Sequence, residues 1–523
     1  MLFNSYEFLL VFFPLTLAGF FWTGRRFGLD VAIAWLSIAS MAFYAWWDWR
    51  YAPLLAASIT GNALAGRSIV QLRSEERLSA ARHTLWLAIA LNLLLLGYFK
   101  YANFFLDAFA AAMGTTRSTL DVVLPIGISF FTFTQIAYLV DAWRGEVEAF
   151  SLRRYILFVT YFPHLIAGPV LHHREMMSQF ADPRIVHPRW SNLSVGASIF
   201  IIGLFKKVIL ADNTAIYASP LFAAARAGDP LTFFDAWLGA FAYSMQLYFD
   251  FSAYSDMAIG LSLMFGIRIP MNFNSPYQAT NIIDFWRRWH LSLSRFLRDY
   301  LYIPLGGGHS GPIRQRVNLM VTMLLGGLWH GAGWTFVVWG GLHGIYLVVN
   351  HVWRTWRASL RTPTSRHERW MGAVLTFIAV LVAWVFFRAD SWEAASRIVL
   401  AMAGHNGVGL PGGLGQTLPS PLREGLEGLG MSFDGMFLVR VGDWREGGAW
   451  LALTGAIAFL APNTYRWFYA FRPALPIYGT PAPIQKRRLR WRPSPAWALC
   501  LGALFFVSFL ALSRPSEFLY FQF

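Results

Sequence analysis

An all-α protein threaded repeatedly through a lipid bilayer is predicted by three features of this 523-residue chain. Hydrophobic residues make up 56% of it and charged residues only 14%, against about 25% charged in ordinary soluble domains. Apolar stretches long enough to approach or cross a bilayer, which takes about 20 residues as a helix, recur along its length. The basic residues gather in short clusters between those stretches. That is the positive-inside distribution, so the net charge of +15 reports topology and argues against nucleic-acid binding.

In chain order the apolar stretches are 7 to 23, 31 to 47, 51 to 66, 84 to 111, 121 to 142, 155 to 171, 194 to 211, 231 to 249, 254 to 270, 317 to 334, 335 to 352, 371 to 388, 449 to 463 and 495 to 513. Roughly 11 spans are expected from lengths of this kind, the rest being re-entrant or interfacial. The first stretch contains Glu7 and lacks a basic leader region or a small-residue cleavage site, so it is expected to remain as a span. TYFPHLIAGPV, Thr160 to Val170, carries two prolines and a glycine. Broken backbone at membrane depth has to be covered by protein or line a water-filled cavity.

Basic clusters at Arg25 and Arg26, Arg67 to Arg82, Arg144 to Arg154, Arg314 and Arg316, Arg354 to Arg369, and Lys486 to Arg492 are expected on the cytoplasmic side. The N-terminus then lies outside, and one last span after the final cluster carries the C-terminus outside as well. The Gly- and Pro-rich stretch from Gly404 to Pro421 falls in an external loop at about 389 to 448. No internal repeat or separate soluble unit is visible, so a single transmembrane domain, 1 to 523, is expected.

His330 stands in a run from Val317 to Val349 that contains no Asp, Glu, Lys or Arg. An ionisable residue at membrane depth marks a functional site by default. The densest polar region is YFDFSAYSDMAIG, Tyr248 to Gly260, followed by NIIDFWRRWHLSLSRFLRDYLYIPLGGG, Asn281 to Gly308. As one helix the latter places Trp289, Leu293, Phe296 and Tyr300 on an apolar stripe with Arg288, Arg295 and Arg298 on another side, an amphipathic helix at the cytoplasmic interface. His290 borders that stripe, 40 residues before His330, where the fold can bring the two imidazoles to opposite ends of one cavity. His343 is expected to hydrogen-bond within the core. Asp250, Asp256 and Asp284 are expected to pair with arginines or orient a histidine. The lone Cys500 excludes an internal disulfide or thiolate cluster, and no carboxylate cluster accompanies His172 and His173, whose side chains point apart on a helix, so no metal site is expected.

The strings DFWRRWHLSLSRFLRDYLYIPLGG and GLWHGAGWTFVVWGGLHG resemble those of the membrane-bound O-acyltransferase family, in its bacterial polysaccharide-acetylating branch. LPIGISFFTFTQIAYLVDAWRG, FPHLIAGPV and YFDFSAYSDMAIG extend the likeness over nearly the whole chain. The resemblance implies a helical acyltransferase core, with His330 and His290 as catalytic residues. On this reading His330 is the general base and His290 a positioning or polarising group, because imidazole titrates near neutral pH. Acetyl-CoA is the implied donor; the basic face that carries Arg287, Arg288 and Arg295 is expected either to hold its phosphates or to meet anionic lipid and set topology. No permanently bound cofactor is implied.

The chain ends SRPSEFLYFQF. A tail with four aromatics in its last six residues is expected to dock rather than fray. The resemblance adds that Tyr520, within 518 to 523, accepts the acyl group as a relay. It also implies a bacterial inner-membrane protein acetylating an exported polysaccharide, alginate first and cellulose, peptidoglycan or another exopolysaccharide as alternatives. A periplasmic acetyltransferase partner of the SGNH type would complete that transfer. Two other classes remain open: a transporter or flippase using the histidines as proton relays, and a teichoic-acid D-alanine transferase fed by a carrier protein.

Overall fold

The computed structural model describes residues 1–115, 119–147, 149–309, 311–359, 365–435, 444–478, 490–514, 516–517 and 519. It is helical almost throughout, as expected. Among the described residues, five helical stretches are long and apolar enough to cross a membrane: Phe8–Phe27, Leu78–Ala112, Trp190–Ala227, Trp334–Ser359 and Arg366–Arg388. Leu29–Ala45 and Pro495–Leu510 are shorter apolar helices.

The centre of the fold is a helix that the hydropathy pattern splits in two. Phe233–Met264 runs unbroken for 32 residues, started by a capping box between Thr232 and Asp235. The polar string that suggested a break, Tyr248 to Asp256, is instead buried, because lysines from a neighbouring helix meet its carboxylates. Lys206 lies 2.9 Å from Asp256, and Lys207 lies 2.6 Å from Asp250. Both lysines sit in a π-helical turn, Lys206–Ala211, between helices Trp190–Phe205 and Asp212–Ala227. Gly196 and Gly260 let these helices pack backbone to backbone, since a β-carbon on either would run into the other's carbonyl.

The proline-bearing stretch is broken as expected. Helix Leu152–Thr160 ends, Tyr161 leaves helical geometry, and a single turn, Phe162–Leu165, follows. Its backbone is fully buried and finds partners in protein: Phe162 N donates to Ser40 Oγ at 3.1 Å and Val170 N to Ser292 Oγ at 2.9 Å. The expected external loop is more ordered than its composition suggests. It holds helix Trp392–Met402 and two parallel strands, Val408–Pro411 and Met431–Gly435. Phe233 N donating to Gly407 O at 3.0 Å pins it to the start of the central helix.

Candidate functional site

His330 is the last residue of helix Gly311–His330, and a new helix begins at Trp334. The two pack as a tight hairpin because Gly327 and Gly340 leave room for carbonyls: a β-carbon on Gly327 would strike the Phe336 oxygen, and one on Gly340 the Met323 oxygen. Terminal helix carbonyls lack partners within the helix. Here Tyr101 OH donates to Leu328 O at 2.9 Å, and Lys100 Nζ donates to Trp329 O at 2.5 Å and His330 O at 3.0 Å. Both donors come from the π-helical turn Gly97–Tyr101. The His330 ring is held edge-on by Trp329, Trp339 and Phe387, with centroid separations of 4.8, 5.1 and 5.1 Å. It faces a largely apolar cavity that also takes in Asp250, Tyr254, Trp384 and Leu519.

His290 does not lie on a continuous amphipathic helix, and its surroundings are core rather than interface. Helix Ile282–Trp286 stops, His290 adopts the left-handed conformation (φ 42°, ψ 55°), and helix Leu291–Leu297 restarts beyond it. The break follows from Asn272, fully buried, whose Oδ1 accepts from Ser292 N at 3.3 Å and Ser292 Oγ at 2.9 Å and lies 3.0 Å from His290 Nδ1. Asn272 Nδ2 donates to Ser255 Oγ at 3.2 Å, which orients the amide and makes His290 Nδ1 the donor. His290 Nε2 keeps a free lone pair; it has no partner among the described residues. Both imidazoles lie against the Trp329 indole, with centroids 6.4 Å and 4.8 Å from it, and the cavity lined by His330 is not lined by His290.

His343 is in the core, but hydrogen bonding is not what holds it. Neither ring nitrogen has a partner among the described residues, and the ring sits among Phe285, Trp286, Trp339 and Trp384. Of the three arginines, Arg295 forms a bidentate pair with Glu175 at 2.6 and 2.8 Å, Arg288 binds Asp284 at 2.8 Å, and Arg287 is exposed. Asp250 and Asp256 pair with lysines rather than arginines or histidines. Tyr520 lies outside the described residues, whereas Leu519 immediately before it is buried in the His330 cavity.

Reasoning from sequence missed Lys100, Lys206, Lys207 and Asn272. The lysines had the same signal as His330, a charge inside an apolar run, in GYFKYANFF and LFKKVIL. Asn272 had none, since an isolated asparagine in a loop is unremarkable.

Comparison with known proteins agrees with the helical membrane architecture. Residues 80–389 match the membrane-bound O-acyltransferase family. A peptidoglycan O-acetyltransferase of Helicobacter pylori is 43% identical over 78% of this chain and 81% of its own length. A probable alginate O-acetylase of Azotobacter vinelandii is 44% identical over 77% of this chain and 78% of its own. A teichoic acid D-alanyltransferase of Bacillus subtilis is 28% identical over 50% of this chain and 68% of its own. A histidine presented at a helix end into an apolar membrane cavity, within a chain of this likeness, makes this protein a multi-pass acyltransferase belonging to the membrane-bound O-acyltransferase family.

Proposed function

We propose that the protein moves acetyl from cytoplasmic acetyl-CoA across a bacterial inner membrane toward an exported polysaccharide, with His330 as general base and Tyr520 as acyl carrier. The observation that carries this reading is that His330 and Leu519, the residue before Tyr520, line one cavity. His330 takes the phenolic proton as the phenol oxygen attacks the thioester carbonyl. The C–S bond then breaks and the thiolate recovers that proton. A phenol, with pKa of about 10, is close to a thiol at about 8.5, so the aryl ester keeps much of the thioester's transfer potential. In the second half-reaction a sugar hydroxyl attacks the ester, and tyrosine leaves with the proton the hydroxyl gives up. His290 acts as a positioning group, its Nε2 lone pair accepting a hydrogen bond from a hydroxyl of the reacting partners.

Arg287, exposed while Arg288 and Arg295 are engaged by Asp284 and Glu175, is the candidate contact for the phosphates of coenzyme A. Alginate is placed first as acceptor because several relatives bear that name, with peptidoglycan next on the equal identity of the Helicobacter pylori protein. Completion of transfer is assigned to a periplasmic acetyltransferase of the SGNH type, and the C-terminus to the periplasmic side. Purified protein given radiolabelled acetyl-CoA is expected to acquire label and to lose it in His330→Ala. Absence of labelling together with absence of acetyl-CoA hydrolysis would overturn the reading in favour of a carrier-protein donor or transport.

A further inference from the structure

The last described residues of the chain do not rest on the surface. They enter the protein between helix Asp212–Ala227 and the central helix Phe233–Met264, and side chains from both receive them at Glu517. Ser219 Oγ donates to Glu517 Oε1 at 3.1 Å and Gln246 Nε2 donates to Glu517 Oε2 at 3.2 Å. Lys207 Nζ donates to the Glu517 carbonyl oxygen. The same ammonium holds Asp212 at 2.8 Å and Asp250 at 2.6 Å, so its three protons are all engaged. One residue earlier, Asn4 Nδ2 donates to Ser516 Oγ at 3.3 Å.

Two features separate this arrangement from incidental packing. Gln246 is 3% exposed, and a buried amide destabilises a protein unless it is hydrogen-bonded; its amide group is matched to a partner that arrives from the far end of the chain, 271 positions away. Gln246 and Asp250 are one helical turn apart on the same helix, and Asp250 lines the cavity that holds His330 and Leu519. The grip on Glu517 and the cavity wall are therefore two faces of one structure.

We propose that Glu517 is the register-setting residue of the terminal segment: seated by Ser219, Gln246 and Lys207, it sets where Leu519 sits in the His330 cavity. This rests on the reading of Tyr520 as acyl carrier and adds to it a positioning residue. The donors to the carboxylate are neutral, so the seat selects by geometry rather than by a strong ion pair, as suits a segment that leaves again to deliver its acyl group.

The test uses the full chain in lipid nanodiscs and reads two quantities, the rate at which carboxypeptidase A releases terminal phenylalanine and the rate of acetyl transfer from radiolabelled acetyl-CoA. Glu517→Ala, at a position beyond helix Pro495–Leu510, is expected to raise trimming roughly tenfold, the scale set by losing two side-chain hydrogen bonds. It is expected to lower kcat with KM for acetyl-CoA unchanged. Ser219→Ala is expected to shift both quantities the same way to a smaller extent. Insertion of one glycine after Glu517 keeps the seat, so trimming stays slow, yet transfer falls at least tenfold because the register is wrong. Wild-type trimming and transfer in Glu517→Ala, or wild-type transfer in the insertion, would overturn the proposal. Tyr520→Phe separates the two ideas: undiminished transfer there ends the carrier reading, while the trimming rates still judge the seat.

Discussion

The Nζ of Lys100 lies 3.0 Å from the carbonyl oxygen of His330, although 230 positions separate them. With its bonds to Trp329 O and, at 3.3 Å, to Ser129 Oγ, the ammonium closes the end of the helix that presents the imidazole. Lys100→Met is expected to leave KM for acetyl-CoA unchanged and lower kcat by about 10- to 100-fold, the equivalent of a lost charge-assisted bond of about 1.5–3 kcal/mol. Steady-state kinetics at saturating acetyl-CoA check it, and an unchanged kcat would remove Lys100 from any role in positioning His330.

Asn272 is the acceptor around which the left-handed turn at His290 is built. Asn272→Ala leaves the Ser292 amide and His290 Nδ1 without their partner, which costs about 1–3 kcal/mol for a buried group. The expected outcome is a lower thermal midpoint with a matching fall in activity, measured by unfolding in detergent. Asn272→Asp keeps an acceptor oxygen and is expected to recover more activity than alanine does.

Neighbouring glycines in the Trp334–Ser359 helix make opposite predictions. A β-carbon at Gly340 meets the Met323 carbonyl, whereas one at Gly341 meets only Leu324 Cδ2 at 3.6 Å, an ordinary contact. Gly340→Ala is expected to destabilise the hairpin by about 1–3 kcal/mol. Gly341→Ala is expected to be neutral or to stabilise by about 0.5–1 kcal/mol, the helical preference of alanine over glycine. Thermal unfolding of the two variants side by side decides between them.

Arg295 and Glu175 offer a way to separate a structural pair from a donor-binding residue. Because their two charges meet in a bidentate bridge, Arg295→Met and Glu175→Gln are expected to lower stability alike and the double variant to be no worse than either. KM for acetyl-CoA is expected to stay constant in all three and to rise in Arg287→Ala, whose guanidinium is exposed. A rise in KM confined to Arg295→Met would instead return Arg295 to the donor site.

The membrane class, the helical content, the broken backbone at Thr160 to Val170 and the family were legible in the sequence, since hydropathy, proline placement and motif strings are properties of neighbouring residues. Chain continuity of the central helix was not, because Asp250 and Asp256 look like a break until Lys206 and Lys207 arrive from another helix to bury them. The same holds for the turn at His290: the periodicity of Trp289, Leu293, Phe296 and Tyr300 fits a helix, yet Asn272 supplies hydrogen bonds that favour a left-handed residue in its midst. His330 could be singled out from its apolar run alone, but not the lysine that holds its carbonyl, the tryptophan that touches both it and His290, or the tail residue that lines its cavity. A local pattern reports how much a residue would lose on burial. Which partner offsets that loss depends on contacts between segments hundreds of positions apart, and those exist only once the chain has folded.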